Sequence, residues 1–105
     1  MTILSLPAFL ALSGALLAVG LFGILTRRNF ILLLIAIEVA MNAAILNFVY
    51  FSSFFGGTSG ADGQSAAVVI IGLAATEVAV GLAIVLALNR QRKTINVAEG
   101  VELKL

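Results

Sequence analysis

The stretch LPAFLALSGALLAVGLFGILTRRNFILLLIAIEVAMNAAILNFVY, residues 6–50, decides the fold. Two long apolar runs flank four polar residues, Thr26-Arg27-Arg28-Asn29. At 1.5 Å rise per residue the run from Leu6 to Leu25 makes a helix of about 30 Å, the thickness of a bilayer's hydrocarbon core. The polar break is too short to lead anywhere except back into the membrane. A second helix therefore begins near Phe30, antiparallel to the first. Pro7 suits a first helical turn, where a missing N–H costs nothing, and Ser13, Gly14 and Ala18 offer a small-residue stripe for a close helix neighbour. No Lys or Arg precedes Leu6, so the first run is expected to be mature structure and not a cleaved signal.

The second apolar stretch continues to about Phe51 or Phe55. Tyr50, Phe51, Phe54 and Phe55 gather where it should leave the bilayer, as aromatic residues do at the headgroup level. Gly56 to Gly63 reads as a polar, glycine-rich connecting loop, without the Gly-Lys-Ser/Thr ending of a phosphate-binding loop. A third apolar run, Ala66 to Leu88, stops at Asn89-Arg90-Gln91-Arg92-Lys93. The expectation is an all-α membrane protein forming one integral membrane domain over 1–105. Its three transmembrane helices lie at about 6–25, 30–55 and 66–88, with a polar tail at 89–105.

Composition agrees with that reading. The 105 residues are 62% hydrophobic and 10% charged, whereas a soluble domain carries about 25% charge to wet its surface. Cysteine and histidine are absent, which removes the usual ligands of zinc, iron–sulfur clusters and haem and leaves no disulfide; no cofactor is expected on this chain. The net charge is +1, and the basic residues sit at membrane edges instead of along one face, which argues against nucleic-acid binding. In a three-helix count, Arg27/Arg28 and Arg90/Arg92/Lys93 fall on one side and Asp62 on the other. The positive-inside bias then places the N-terminus outside and the C-terminus in the cytoplasm.

Two carboxyl groups stand apart from the other charges. Glu38 lies about 12 Å along the second helix from Phe30, and Glu77 lies in the middle of the third run. An ionisable side chain at such depth costs a few kcal/mol and normally faces a protein interior or a hydrated cavity, not lipid. Removing a carboxyl group from water favours its protonated form, which fits it to take up and release protons. Asn42, one turn after Glu38, supports a polar path, and Thr76 precedes Glu77. Ala74 and Gly81 keep the face of Glu77 small enough for water or another helix to approach. A chain this short has too little interior to bury both glutamates, so partner helices are expected to complete their surroundings. A single midplane carboxyl would read as a packing contact, but two on consecutive helices point to proton carriage.

The residues also carry a resemblance. Leu25-Thr26-Arg27-Arg28-Asn29, Ile37-Glu38-Val39, Asn42-Ala43, Asn47-Phe48, Asp62-Gly63-Gln64, Glu77-Val78-Ala79-Val80-Gly81-Leu82-Ala83-Ile84 and the tail Arg90-Gln91-Arg92-Lys93-Thr94-Ile95-Asn96-Val97 follow in that order. Together they resemble subunit K, the mitochondrial 4L type, of proton-pumping NADH:quinone oxidoreductase, respiratory complex I. The likeness runs from about Gly20 to the C-terminus. It implies three transmembrane helices and a place in the membrane arm beside other hydrophobic subunits, antiporter-like ones included, in a prokaryotic inner membrane or an equivalent energy-transducing membrane. It implies that Glu38 and Glu77 match the family's two intramembrane glutamates that serve proton translocation, and that Arg27 and Arg28 match loop arginines supporting coupled activity. NADH, FMN, the iron–sulfur clusters and quinone are then expected on other subunits. The rival reading is the equivalent small subunit of a cation/proton antiporter, a membrane-bound hydrogenase or an F420H2 dehydrogenase, which share the three-helix plan.

Overall fold

The computed structural model describes residues 5–54 and 57–92. It contains three helices, α1 (Leu6–Thr26), α2 (Phe30–Ser52) and α3 (Gly57–Arg92). Each is long and apolar enough to cross a membrane. The tail charges Lys93, Glu99, Glu102 and Lys104, and Phe55 of the aromatic group, lie outside the described residues.

Local chemistry accounts for the ends of α1 and α2. The Ser5 hydroxyl accepts the N–H of Ala8, and Pro7 occupies the first turn of α1. At the other end the Thr26 hydroxyl donates to the Phe22 carbonyl at 2.6 Å, while Arg27 turns to an extended backbone and donates its N–H to Gly23 at 3.0 Å. Asn29 then caps α2, its Oδ1 accepting from Ile31 at 2.9 Å and Leu32 at 3.4 Å. The tight return expected from Thr26-Arg27-Arg28-Asn29 is built from these bonds. At the far end of α2, Ser53 closes the helix by donating both its N–H and its hydroxyl to the Tyr50 carbonyl, at 3.1 and 2.6 Å. That local turn ends the helix at Ser52, short of the outer limit of the expected 30–55 span.

α2 packs against both α1 and α3, while α1 and α3 share almost no contact. The Cα envelope is a slab of 53 × 25 × 19 Å. α1 and α2 meet along a seam of small residues. A Cβ on Gly20 would stand 2.7 Å from the backbone nitrogen of Ala40, and one on Gly23 would stand 2.6 Å from the Ala36 Cβ. Their hydrogen side chains are therefore what allows this approach. At the other end of the seam the Phe9 and Tyr50 rings stack at 3.9 Å, with Phe51 and Phe54 edge-on to Tyr50. The stripe expected from Ser13, Gly14 and Ala18 is thus only partly right. Ser13 is buried, but Gly14 faces open space and Ala18 is exposed. The contact face of α1 runs Phe9, Ser13, Leu16, Gly20, Gly23, alternating steps of four and three, and Gly14 and Ala18 lie off it.

α3 differs most from expectation. The glycine-rich segment from Gly57 to Gly63, read from sequence as loop, forms the first turns of a 36-residue helix that continues past Leu88 to Arg92. Glycine disfavours a helix by about 1 kcal/mol per residue relative to alanine. Tertiary contact overrides that cost here. Gly60 and Ala67 are buried, and Gly63 lets Ser52 of α2 come within 2.6 Å of where a Cβ would stand. At about 54 Å, α3 is longer than the hydrocarbon core is thick, so its polar first turns project beyond the apolar span.

Candidate functional site

Two glycines of α3 come close against α2, Gly81 at Leu34 and Gly63 at Ser52. They define a single antiparallel register. Stepping four residues along each helix from the Leu34 and Gly81 pair brings Glu38 opposite Glu77. The two carboxyl-bearing positions, 39 residues apart in sequence (77 − 38), thus share one depth.

Both glutamates line the same groove between α2 and α3, of about 460 Å³. Apolar side chains, Leu34 and Ile37 from α2 and Leu73, Val80 and Ile84 from α3, supply most of its wall. Glu38 is half-buried and Glu77 exposed. Their environment within the chain is therefore one-sided, as the small interior of three helices in a slab requires. Ala74 is buried in the contact with α2, and Gly81 lines the groove against the flexible end of Leu34. Both small residues stand where the sequence reading placed them, one turn to either side of Glu77.

The regular contact pattern of α3 also changes at this point. Gly60, Gly63, Ala67, Ile70 and Ala74 recur in steps of three and four, and the next inward residue is Val78, after a second consecutive step of four. A strict three-four alternation would have put Glu77 against α2. The extra residue instead rotates Glu77 out of the tight contact and onto the groove wall.

The polar neighbours divide. Thr76 lines the groove, but its hydroxyl already donates to the Gly72 carbonyl at 3.0 Å. Asn42 is exposed one turn along α2 from Glu38 and is not part of the groove lining. Asn47, further toward the C-terminal end of α2, has a buried Oδ1 with no hydrogen-bond partner among the described residues. Sequence position marked it as polar, whereas its unsatisfied carbonyl follows only from packing. Arg27 and Arg28 are exposed in the hairpin between α1 and α2, far from the groove's centre. Because the helices alternate in direction, this hairpin and Arg90 lie at the same end of the slab.

A carboxyl group is suited to such a place. Protonated, it donates one hydrogen bond; ionised, it only accepts. Two such groups line one mostly apolar groove, so each is able to donate or accept a hydrogen bond there according to its protonation.

The chain matches the family model described as NADH-ubiquinone/plastoquinone oxidoreductase chain 4L over residues 8–104. It is 48% identical over 102 residues to a protein of Bordetella petrii named NADH-quinone oxidoreductase subunit K, covering 96% of this chain and 97% of that one. Proteins of the same name from Geobacillus kaustophilus and Deinococcus radiodurans are each 44% identical, covering 96% and 91% of this chain and 99% and 90% of their own lengths. With nearly the whole length matched from both sides and three helices long and apolar enough to span a membrane, the chain belongs to the NADH-ubiquinone/plastoquinone oxidoreductase chain 4L family.

Proposed function

We propose that this chain is a membrane-arm subunit of a proton-translocating NADH:quinone oxidoreductase, and that Glu38 and Glu77 carry protons within it. Family membership supports the first part. The observation that carries the second is the groove: two carboxyl groups from different helices, at one depth of an otherwise apolar membrane span, line a single space. A solitary packing carboxyl would need no such partner.

In this reading the groove's open side is completed by neighbouring membrane-arm subunits, antiporter-like ones among them, and water admitted there links the two glutamates. Asn42, exposed one turn away, extends the polar path. Electrons travel elsewhere: the chain has no cysteine or histidine to hold an iron–sulfur cluster, and NADH, FMN and quinone, like the clusters, belong in this reading to its partners. Its own part is to hold and release protons as charge and hydration change around the groove. The hairpin arginines and Arg90, sharing one end, set that end in the cytoplasm, with the N-terminus outside. The membrane is the prokaryotic inner membrane or its equivalent.

The test is Glu38→Gln and Glu77→Gln in the assembled complex, with quinone reduction and proton uptake measured in the same vesicles. Each variant is expected to assemble and to lose coupled pumping. Two assembled variants that pump as the wild type does would end the proton-carrier reading and leave the glutamates as packing residues.

A further inference from the structure

The hairpin joining α1 to α2 carries two arginines and nothing to neutralise them. No Asp or Glu occurs in residues 1–37, and the first carboxyl group, Glu38, stands more than two helical turns down α2. Among the described residues, neither arginine side chain forms an ion pair or a hydrogen bond, and both are exposed. The N-terminal end of α2, with its positive dipole end, lies beside them.

Below Arg27, on the face between α1 and α2, runs a groove of about 200 Å³. Its walls are Val19 and Phe22 on one side and Leu32, Ile35 and Val39 on the other, over about 12 Å of helix. Its floor is the Gly23 and Ala36 contact. Because the two helices touch there through almost no side chain, the floor is sunk between taller neighbours. Val19 and Phe22 are each 62% exposed. The groove is therefore apolar, open along its length and headed by a cation at the edge of the membrane span.

The occupant must join a negative head to an apolar chain. Arg27 supplies the complement to a negative head, and the apolar walls over about 12 Å of helix supply the complement to part of an acyl chain lying along them. We propose that this groove binds a single anionic phospholipid, its phosphate held by Arg27 and Arg28 and one acyl chain lying between Phe22 and Ile35. A guanidinium matches phosphate oxygens in paired hydrogen bonds, and among the described residues no carboxyl group stands against this charge. The proposal is independent of what Glu38 and Glu77 do.

The experiment uses the assembled complex that contains this chain, placed in phosphatidylcholine nanodiscs. These are doped with phosphatidylglycerol bearing a photoreactive diazirine on its acyl chain. After irradiation, adducts are expected on Phe22, Ile35 or Val39, competed by unlabelled phosphatidylglycerol and not by phosphatidylcholine. Arg27→Gln should lower the yield about five-fold, the effect of one basic residue at a membrane surface. Val19→Trp, which fills the groove at an exposed position and leaves both arginines, should also remove the adducts, so the result does not hang on one variant. Absence of adducts in the wild-type complex, because a neighbouring subunit covers the groove, overturns the proposal. Equal labelling from diazirine-bearing phosphatidylcholine overturns it as well.

Discussion

The two faces of α2 are built to different rules. Toward α1 the helices close to backbone contact at Gly20 and Ala40 and are clamped by the Phe9 and Tyr50 stack. Toward α3 they touch at Leu34 with Gly81 and at Ser52 with Gly63, and beside that seam a groove is lined by Glu38 and Glu77. In a bilayer no hydrophobic force drives helices together, so a close seam rests on packing of small residues. Where the seam opens, a polar group can be kept and water admitted. The first face closes on small residues, and the second leaves a groove beside its two carboxyl groups.

The sharpest way to break that contrast is to place a side chain where the backbones meet. Gly20→Val puts its first carbon 2.7 Å from Ala40 nitrogen, which cannot move without moving α2. The expected cost is about 3 kcal/mol, the upper end for overpacking, seen as loss of this chain from the purified complex. Next comes the chemistry of the other face. Glu38→Gln or Glu77→Gln should leave assembly intact and reduce coupled proton pumping about ten-fold or more, modest beside the usual effect of a proton-transferring side chain. Proton uptake per quinone reduced is the readout.

Gly81→Ala sharpens the comparison because the same kind of insertion now meets the Leu34 side chain, its methyl groups at 2.5 and 2.8 Å and its Cγ at 3.2 Å. These lie at the end of a flexible side chain beside an open groove. A loss of about 1 kcal/mol or less is expected, measured as a small shift in the complex's thermal midpoint. The smallest effect belongs to Gly14→Ala. Nothing lies within 4 Å of its added carbon, so no packing loss is expected and stability should hold or rise, by at most about 1 kcal/mol. If Gly14→Ala proved as damaging as Gly20→Val, the contact face of α1 would lie elsewhere, or a partner subunit would lie against Gly14.

Much of the fold was legible before any coordinates. The Arg27-Arg28-Asn29 return could be read because a cap and a polar break are local matters, settled by residues within a turn of each other. The three spans could be read because membrane crossing depends on length and apolarity alone. The glycine-rich segment could not. Its local preference is against a helix, and the contact that opposes this preference, Gly63 against Ser52, belongs to the pairing with α2. The small stripe on α1 was misjudged for a related reason: several small residues on a helix offer a close approach, and only the partner's position selects Ser13, Gly20 and Gly23 over Gly14 and Ala18.

The candidate site divides along the same line. Sequence by itself determined that Glu38 and Glu77 are carboxyl groups at mid-depth, since rise per residue converts position into depth within one helix. Whether they share a space depends on the register and rotation between two helices. That was decided by contacts far along the chain, at Leu34 with Gly81 and Ser52 with Gly63, and by the added residue before Val78 that turns Glu77 toward the groove. Depth is a property of one segment, and facing is a property of two.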